Sequence, residues 1–109
     1  MPHPHFFAVL CDYSMAEMRR VYNRKFPNKL SDFERFAALL MLSVTMVLTP
    51  PDEEAVQEEN SIRDLKDRPI LRAAIAEKVD AILTGDKDFL ESGITQPEIL
   101  TAAEFLQKV

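Results

Sequence analysis

The stretch that decides the fold runs from Arg63 to Leu90: R-D-L-K-D-R-P-I-L-R-A-A-I-A-E-K-V-D-A-I-L-T-G-D-K-D-F-L. It reads as a short acidic loop, an amphipathic helix, a buried strand and a second acidic loop. The helix is expected over Arg68 to Lys78. Pro69 suits its first turn, where a missing N–H leaves no bond unmade. Ile70, Leu71, Ala74 and Ile75 fall on one apolar face. Ala81-Ile82-Leu83-Thr84 is short and apolar and ends at Gly85, as a strand should. Asp86 and Asp88 follow directly. In an open α/β sheet, ligands bind outside the carboxyl ends of strands. Asp86 therefore stands where a ligand-facing carboxylate is expected, and Asp67, ahead of the helix, could fold back to meet it.

Outward from that stretch, strands and helices alternate. Phe6 to Cys11 is continuously apolar and reads as a buried parallel strand. Ser14-x-x-Glu17 matches a capping box for a helix to about Phe26, where Pro27 stops it. Its apolar stripe is Met18, Val21 and Tyr22. Ser31-x-x-Glu34 is a second such box, opening a helix to about Leu42 with Phe33, Phe36, Ala37, Leu40 and Met41 on one side. Ser43 to Thr49 holds V-T-M-V-L and reads as a strand. The acidic stretch from Asp52 to Ser61 has no apolar period and is expected to be loop, with a turn of helix near Glu53 to Val56. Its carboxylates Asp52, Glu53, Glu54, Glu58 and Glu59 read as solvated, as does Asp64. Glu98 to Leu100 is a last short strand. Thr101-x-x-Glu104 is a third capping box, for a helix through Lys108. Apolar strands separated by helices imply an α/β domain: three layers, α/β/α, around a short parallel sheet of about four strands.

The chain of 109 residues is expected to form one domain, with residues 1–5 as an extended arm. His3 and His5 on that arm are a poor metal site by themselves. No run reaches the roughly 18 apolar residues of a membrane span, and no signal-peptide pattern opens the chain. The single cysteine, Cys11, excludes an internal disulfide and fits a reducing cytoplasm; it reads as a small buried hydrophobe. The two glycines are too few for a G-x-G-x-x-G fingerprint or a P-loop. The net charge of −5 argues against nucleic-acid binding through basic surface alone. It does not argue against carboxylates gathered around a divalent cation.

Three segments, D-R-P-I-L-R-A-A (Asp67 to Ala74), A-I-L-T-G-D-K-D-F (Ala81 to Phe89) and I-L-T-A-A-E-F-L (Ile99 to Leu106), together resemble the PIN-domain family of metal-dependent ribonucleases. That family includes many toxins of bacterial toxin–antitoxin pairs. The resemblance implies an RNA phosphodiesterase using Mg2+ or Mn2+, with Glu17, Asp67 and Asp86 as catalytic metal ligands and Asp88 beside them. By itself Glu17 reads as the reciprocal cap of Ser14; the metal role comes from the acidic residue that the family carries on the helix after its second strand. Asp67 reads equally as a helix cap; Asp86 also reads as a turn cap, but its place after Leu83-Thr84-Gly85 favours the metal role, while Thr84 reads as a phosphate contact or a plain strand end.

Against the family's pattern the chain opens at the second strand. The first strand and its metal-binding Asp have no counterpart, so the domain is expected to be truncated at its N-terminus. A neighbouring polypeptide would supply that strand, or the chain is a non-catalytic remnant acting through self-association or partner binding. RNA, an antitoxin protein and a homo-oligomer, with a homodimer the leading form, are the expected partners. Carboxylates about 4 Å apart repel by on the order of 4 kcal/mol at an effective dielectric near 20. Their convergence would therefore point to a cation.

Overall fold

The computed structural model describes residues 7–108. The expected arm, with His3 and His5, lies outside them. Helices and parallel strands alternate, and the fold is α/β. Its contacts fall into two compact units, one through Thr49 and one from Pro50 onward.

In the first unit, β1 (Val9–Cys11) runs directly into α1 (Asp12–Lys25), followed by α2 (Leu30–Leu40) and β2 (Thr45–Val47). β1 and β2 pair in parallel, with Val9 opposite Thr45 and Cys11 opposite Val47. Parallel strands need a crossover of a dozen or more residues, and α1 and α2 provide it. Met15, Phe33 and Ala37 are buried together, with Leu10, Met18, Tyr22, Leu40 and Met46 packed around them. Cys11 is buried and free, as expected. Phe36 and Met41, expected on the buried side of α2, are exposed instead. The stripe that packs is the narrower Phe33, Ala37, Leu40 series.

Neither of the first two capping boxes forms. α1 starts at Asp12, two residues before Ser14, because the chain leaves β1 without a loop. Ser14 Oγ lies 3.2 Å from Cys11 Sγ, and Glu17 accepts from Arg20. α2 starts at Leu30, ahead of Ser31, and Glu34 accepts from Arg19 of α1. In both places the glutamate of the motif takes an arginine partner. Asp12, rather than Ser14, ties down the start of α1. Its Oδ1 accepts from Tyr13 N at 2.9 Å, Thr49 N at 2.9 Å and Thr49 Oγ1 at 2.6 Å. The Thr49 hydroxyl leads in holding this carboxyl below its ordinary value.

In the second unit, α3 spans Arg68–Ala76, β3 Ala81–Leu83, α4 Lys87–Leu90, β4 Glu98–Leu100 and α5 Ala102–Lys108. β3 and β4 pair in parallel, with Ile82 opposite Ile99. The four expected strands are thus present, but they pair as two two-stranded sheets rather than as one. Ile62, Leu71 and Phe89 form the core here, covered by Ile70, Ile75, Ile82, Ile94 and Ile99. α3 ends in a reciprocal pair of bonds, Val79 N to Ala74 O and Lys78 N to Ile75 O, with Lys78 at φ 55° in the left-handed position usually given to glycine.

The segment 52–61 is not plain loop. It makes two short 3-10 turns, Asp52–Glu54 and Gln57–Ser61. Glu59, expected to be solvated, is 3% exposed. A charge is buried only where it is paired. Its partner is Arg72 on α3, whose Nη2 and Nε reach Glu59 Oε1 and Oε2 at 2.8 and 3.0 Å.

Candidate metal centre

The second unit gathers four aspartates at the start of α3 and the end of β3. Asp64 precedes and Asp67 ends a single 3-10 turn, Leu65–Asp67, that leads into α3. Asp64 caps this turn by accepting from Lys66 N at 3.0 Å. Asp86 follows β3 and caps α4, its Oδ1 accepting from Asp88 N at 2.9 Å. Thr84 Oγ1 accepts from Asp86 N at 3.0 Å, so the strand-ending hydroxyl holds the loop that carries Asp86.

One oxygen from each of Asp64, Asp67 and Asp88 lies within 4.8 Å of the others. Asp67 is at the N-terminal boundary of α3 but makes no side-chain cap. Its Oδ2 is buried without a hydrogen-bond partner. Burial first, then a proton shared with Asp86 and the charges of Asp86, Asp64 and Asp88, push the Asp67 carboxyl up to about 7. The Asp88 N–H, followed by the same shared proton, holds Asp86 below its ordinary value. Asp67 and Asp86 thus behave as a pair of facing carboxylates in which one site keeps a proton.

Arg63 stands at the rim. Its Nε donates to Asp88 Oδ1 at 3.1 Å and its Nη2 donates to Glu91 Oε2 at 2.9 Å, with Nη2 also in ion-pair contact with Asp88 Oδ1 at 3.0 Å. Arg68 turns away, its Nε donating to the Ile62 carbonyl at 3.0 Å.

The structure therefore brings together Asp67, Asp86 and Asp88 from the sequence-predicted set. It adds Asp64, which sequence reasoning took to be solvated, and Arg63, which it did not single out. The spacing Asp64-x-x-Asp67 held a signal for the first: one turn of helix puts such residues side by side. Glu17 lies in the first unit, on α1, in an ion pair with Arg20 at 2.9 Å.

The donor set fits a hard divalent cation. All four groups are carboxylates, the ligands that Mg2+, Mn2+ and Ca2+ prefer. Two oxygens on one Mg2+ at about 2.1 Å lie no more than about 4.2 Å apart, so the cluster needs only a small contraction. The orphaned Asp67 Oδ2 supplies a buried acceptor with nothing to accept from.

A family model of the PIN domain matches residues 3–88. This chain belongs to the PIN-domain family. The match takes in every aspartate of the cluster and Glu17 as well. No curated protein and no solved structure matches this PIN domain. Among its described residues no helix is long and apolar enough to cross a membrane.

Proposed function

We propose that this PIN domain is a metal-dependent ribonuclease that hydrolyses RNA phosphodiesters. The observation that carries the reading is the buried, unpartnered Asp67 Oδ2 set against the carboxylates of Asp64, Asp86 and Asp88. Asp67 and Asp86 would hold Mg2+ or Mn2+, with Asp88 and Asp64 beside them. When bound, such a cation activates water and offsets charge on a phosphodiester transition state. The chain's own part is to fix the carboxylates. The Thr84 hydroxyl and the Asp88 N–H orient Asp86 from both sides, and α3 sets Asp67. Asp67 gives up its shared proton as a cation takes its place, so loading is favoured as pH rises through about 7.

The test is cleavage of a labelled single-stranded RNA with added Mn2+, with and without chelator. Chelator-sensitive cleavage that Asp67→Asn and Asp86→Asn both abolish supports the reading. Cleavage that survives both substitutions overturns it.

A second reading, association without catalysis, is favoured by a separate observation. Phe7, Leu42 and Leu48 are 94%, 83% and 79% exposed, and each two-stranded sheet leaves one edge of each strand outside its pair. Exposed strand edges and apolar side chains recruit other chains. The partners proposed are a second copy, in a closed two-fold dimer, and an antitoxin-type protein or a polypeptide adding a strand. Light scattering at micromolar concentration checks self-association; a clean monomer near 12.5 kDa overturns the dimer.

A further inference from the structure

The four aspartates of the cluster would repel one another in the metal-free protein, and the structure shows what offsets that repulsion. Arg63 is the residue immediately before Asp64. Its guanidinium donates from Nε to Asp88 Oδ1 at 3.1 Å and keeps Nη2 in ion-pair contact with the same oxygen at 3.0 Å, while the Nη2 hydrogen bond to Glu91 at 2.9 Å steadies it from outside the cluster. Lys66 and Lys87 sit as close in sequence to these aspartates, yet among the described residues neither forms an ion pair with them. Arg63 is 68% exposed and packs into no core. It has room to leave.

We infer that Arg63 is the built-in counter-cation of the aspartate cluster, a positioning residue that competes with the divalent cation for Asp88. In the metal-free state Arg63 holds Asp88 at the rim. On loading, Asp88 turns to the cation, and the guanidinium is freed beside the cluster, pointing to where a phosphodiester would lie. Arginine suits both states, since its planar fork binds a carboxylate and a phosphate alike. The inference rests on the metal reading above and adds the order of events at its edge.

The test is calorimetric titration of Mn2+ into the full chain and into Arg63→Gln, with Lys87→Gln as the charge-matched control. Removing a competitor tightens binding. Arg63→Gln should bind Mn2+ roughly two- to fivefold more tightly, the order expected when one solvent-exposed ion pair no longer has to be broken. Lys87→Gln, which changes net charge equally, should shift affinity clearly less. A second measurement follows the Arg63 Nε–H resonance during titration with diamagnetic Mg2+. It should move from a carboxylate-paired position toward that of a solvated arginine as the site fills. Wild-type binding that Arg63→Gln leaves unchanged, or strengthens no more than Lys87→Gln does, overturns the inference and leaves the metal reading standing. An Arg63 resonance unmoved at saturating Mg2+ overturns it too. Saturable binding in neither protein overturns both.

Discussion

Arg72 and Glu59 form a two-pronged ion pair inside the second unit, at 2.8 and 3.0 Å, with both side chains almost fully buried. Arg72 Nη1 also donates to the Pro50 carbonyl and to Asp52 Oδ1, each at 3.0 Å, and Glu59 Oε2 accepts from Val56 N at 2.7 Å. One arginine thus gathers the whole 50–59 segment onto α3. Removing one member of a buried pair leaves a bare charge, which costs about 3–5 kcal/mol, whereas replacing both by apolar groups is often close to neutral. Arg72→Met alone should therefore lower urea stability by about that much, and Arg72→Met with Glu59→Leu should recover most of it. A single substitution costing under about 1 kcal/mol would show the pair to be dispensable.

Asp67 predicts how stability depends on pH. Its carboxyl sits at about 7 in the folded protein and ionises near 3.8 when free. The folded state therefore keeps a proton that the unfolded chain has lost. This contribution is full below pH 3.8 and is lost as pH rises toward 7. Glu59 runs the other way: the Arg72 hydrogen bonds hold its carboxyl below 4.5, and that contribution is lost as pH falls. Metal-free protein should be most stable in mildly acidic solution and decline by roughly 2–3 kcal/mol toward pH 7. Denaturant titrations of wild type and Asp67→Asn from pH 4.5 to 7.5 check this. If the two curves stay parallel, Asp67 is not the titrating group.

A cation that binds only the folded state stabilises it by mass action, by about 2.7 kcal/mol at one hundred times its dissociation constant. Mn2+ should therefore raise the melting temperature at pH 7.5, and more so than at pH 5.5, where Asp67 still holds its proton. Asp86→Asn should remove the effect. A rise that survives in Asp86→Asn would place the cation elsewhere, with His3 and His5 the first suspects.

The elements of the second unit were readable because their local signals agree with one another. Pro69 and the Ile70, Leu71, Ala74, Ile75 stripe gave α3, and Glu98 to Leu100 was read to the residue. The placement of Asp86 after β3 followed from the rule for strand ends. The Arg72–Glu59 pair was not readable: thirteen residues separate its members, and a glutamate in an acidic, aperiodic stretch has every mark of a solvated one. Arg63 was missed for a related reason, since its carboxylate partners lie beyond β3 and only the folded chain brings them to it. The pairing of four strands as two couples also depends on tertiary geometry, which three-residue strands do not declare.

The three S/T-x-x-E motifs make a controlled comparison. At α5 the box is closed on both sides: Thr101 N donates to Glu104 Oε1 at 2.9 Å, and Glu104 N donates to Thr101 Oγ1 at 3.1 Å. The Thr101 N–H leads in holding the Glu104 carboxyl below its ordinary value. At Ser14 and Ser31 the helix has already begun, so no free N–H awaits the hydroxyl in that role, and the glutamates pair with Arg20 and Arg19. What separates the cases is the residue before the motif. Leu100 ends a strand, so the chain must turn at Thr101, whereas Tyr13 and Leu30 are already helical. Thr101→Ala should therefore cost about 1 kcal/mol, and Ser31→Ala should stay within about 0.5 kcal/mol of wild type. Urea denaturation of the two variants side by side checks the difference. Equal losses would mean that the sequence motif, and not the start of the helix, decides where a cap forms.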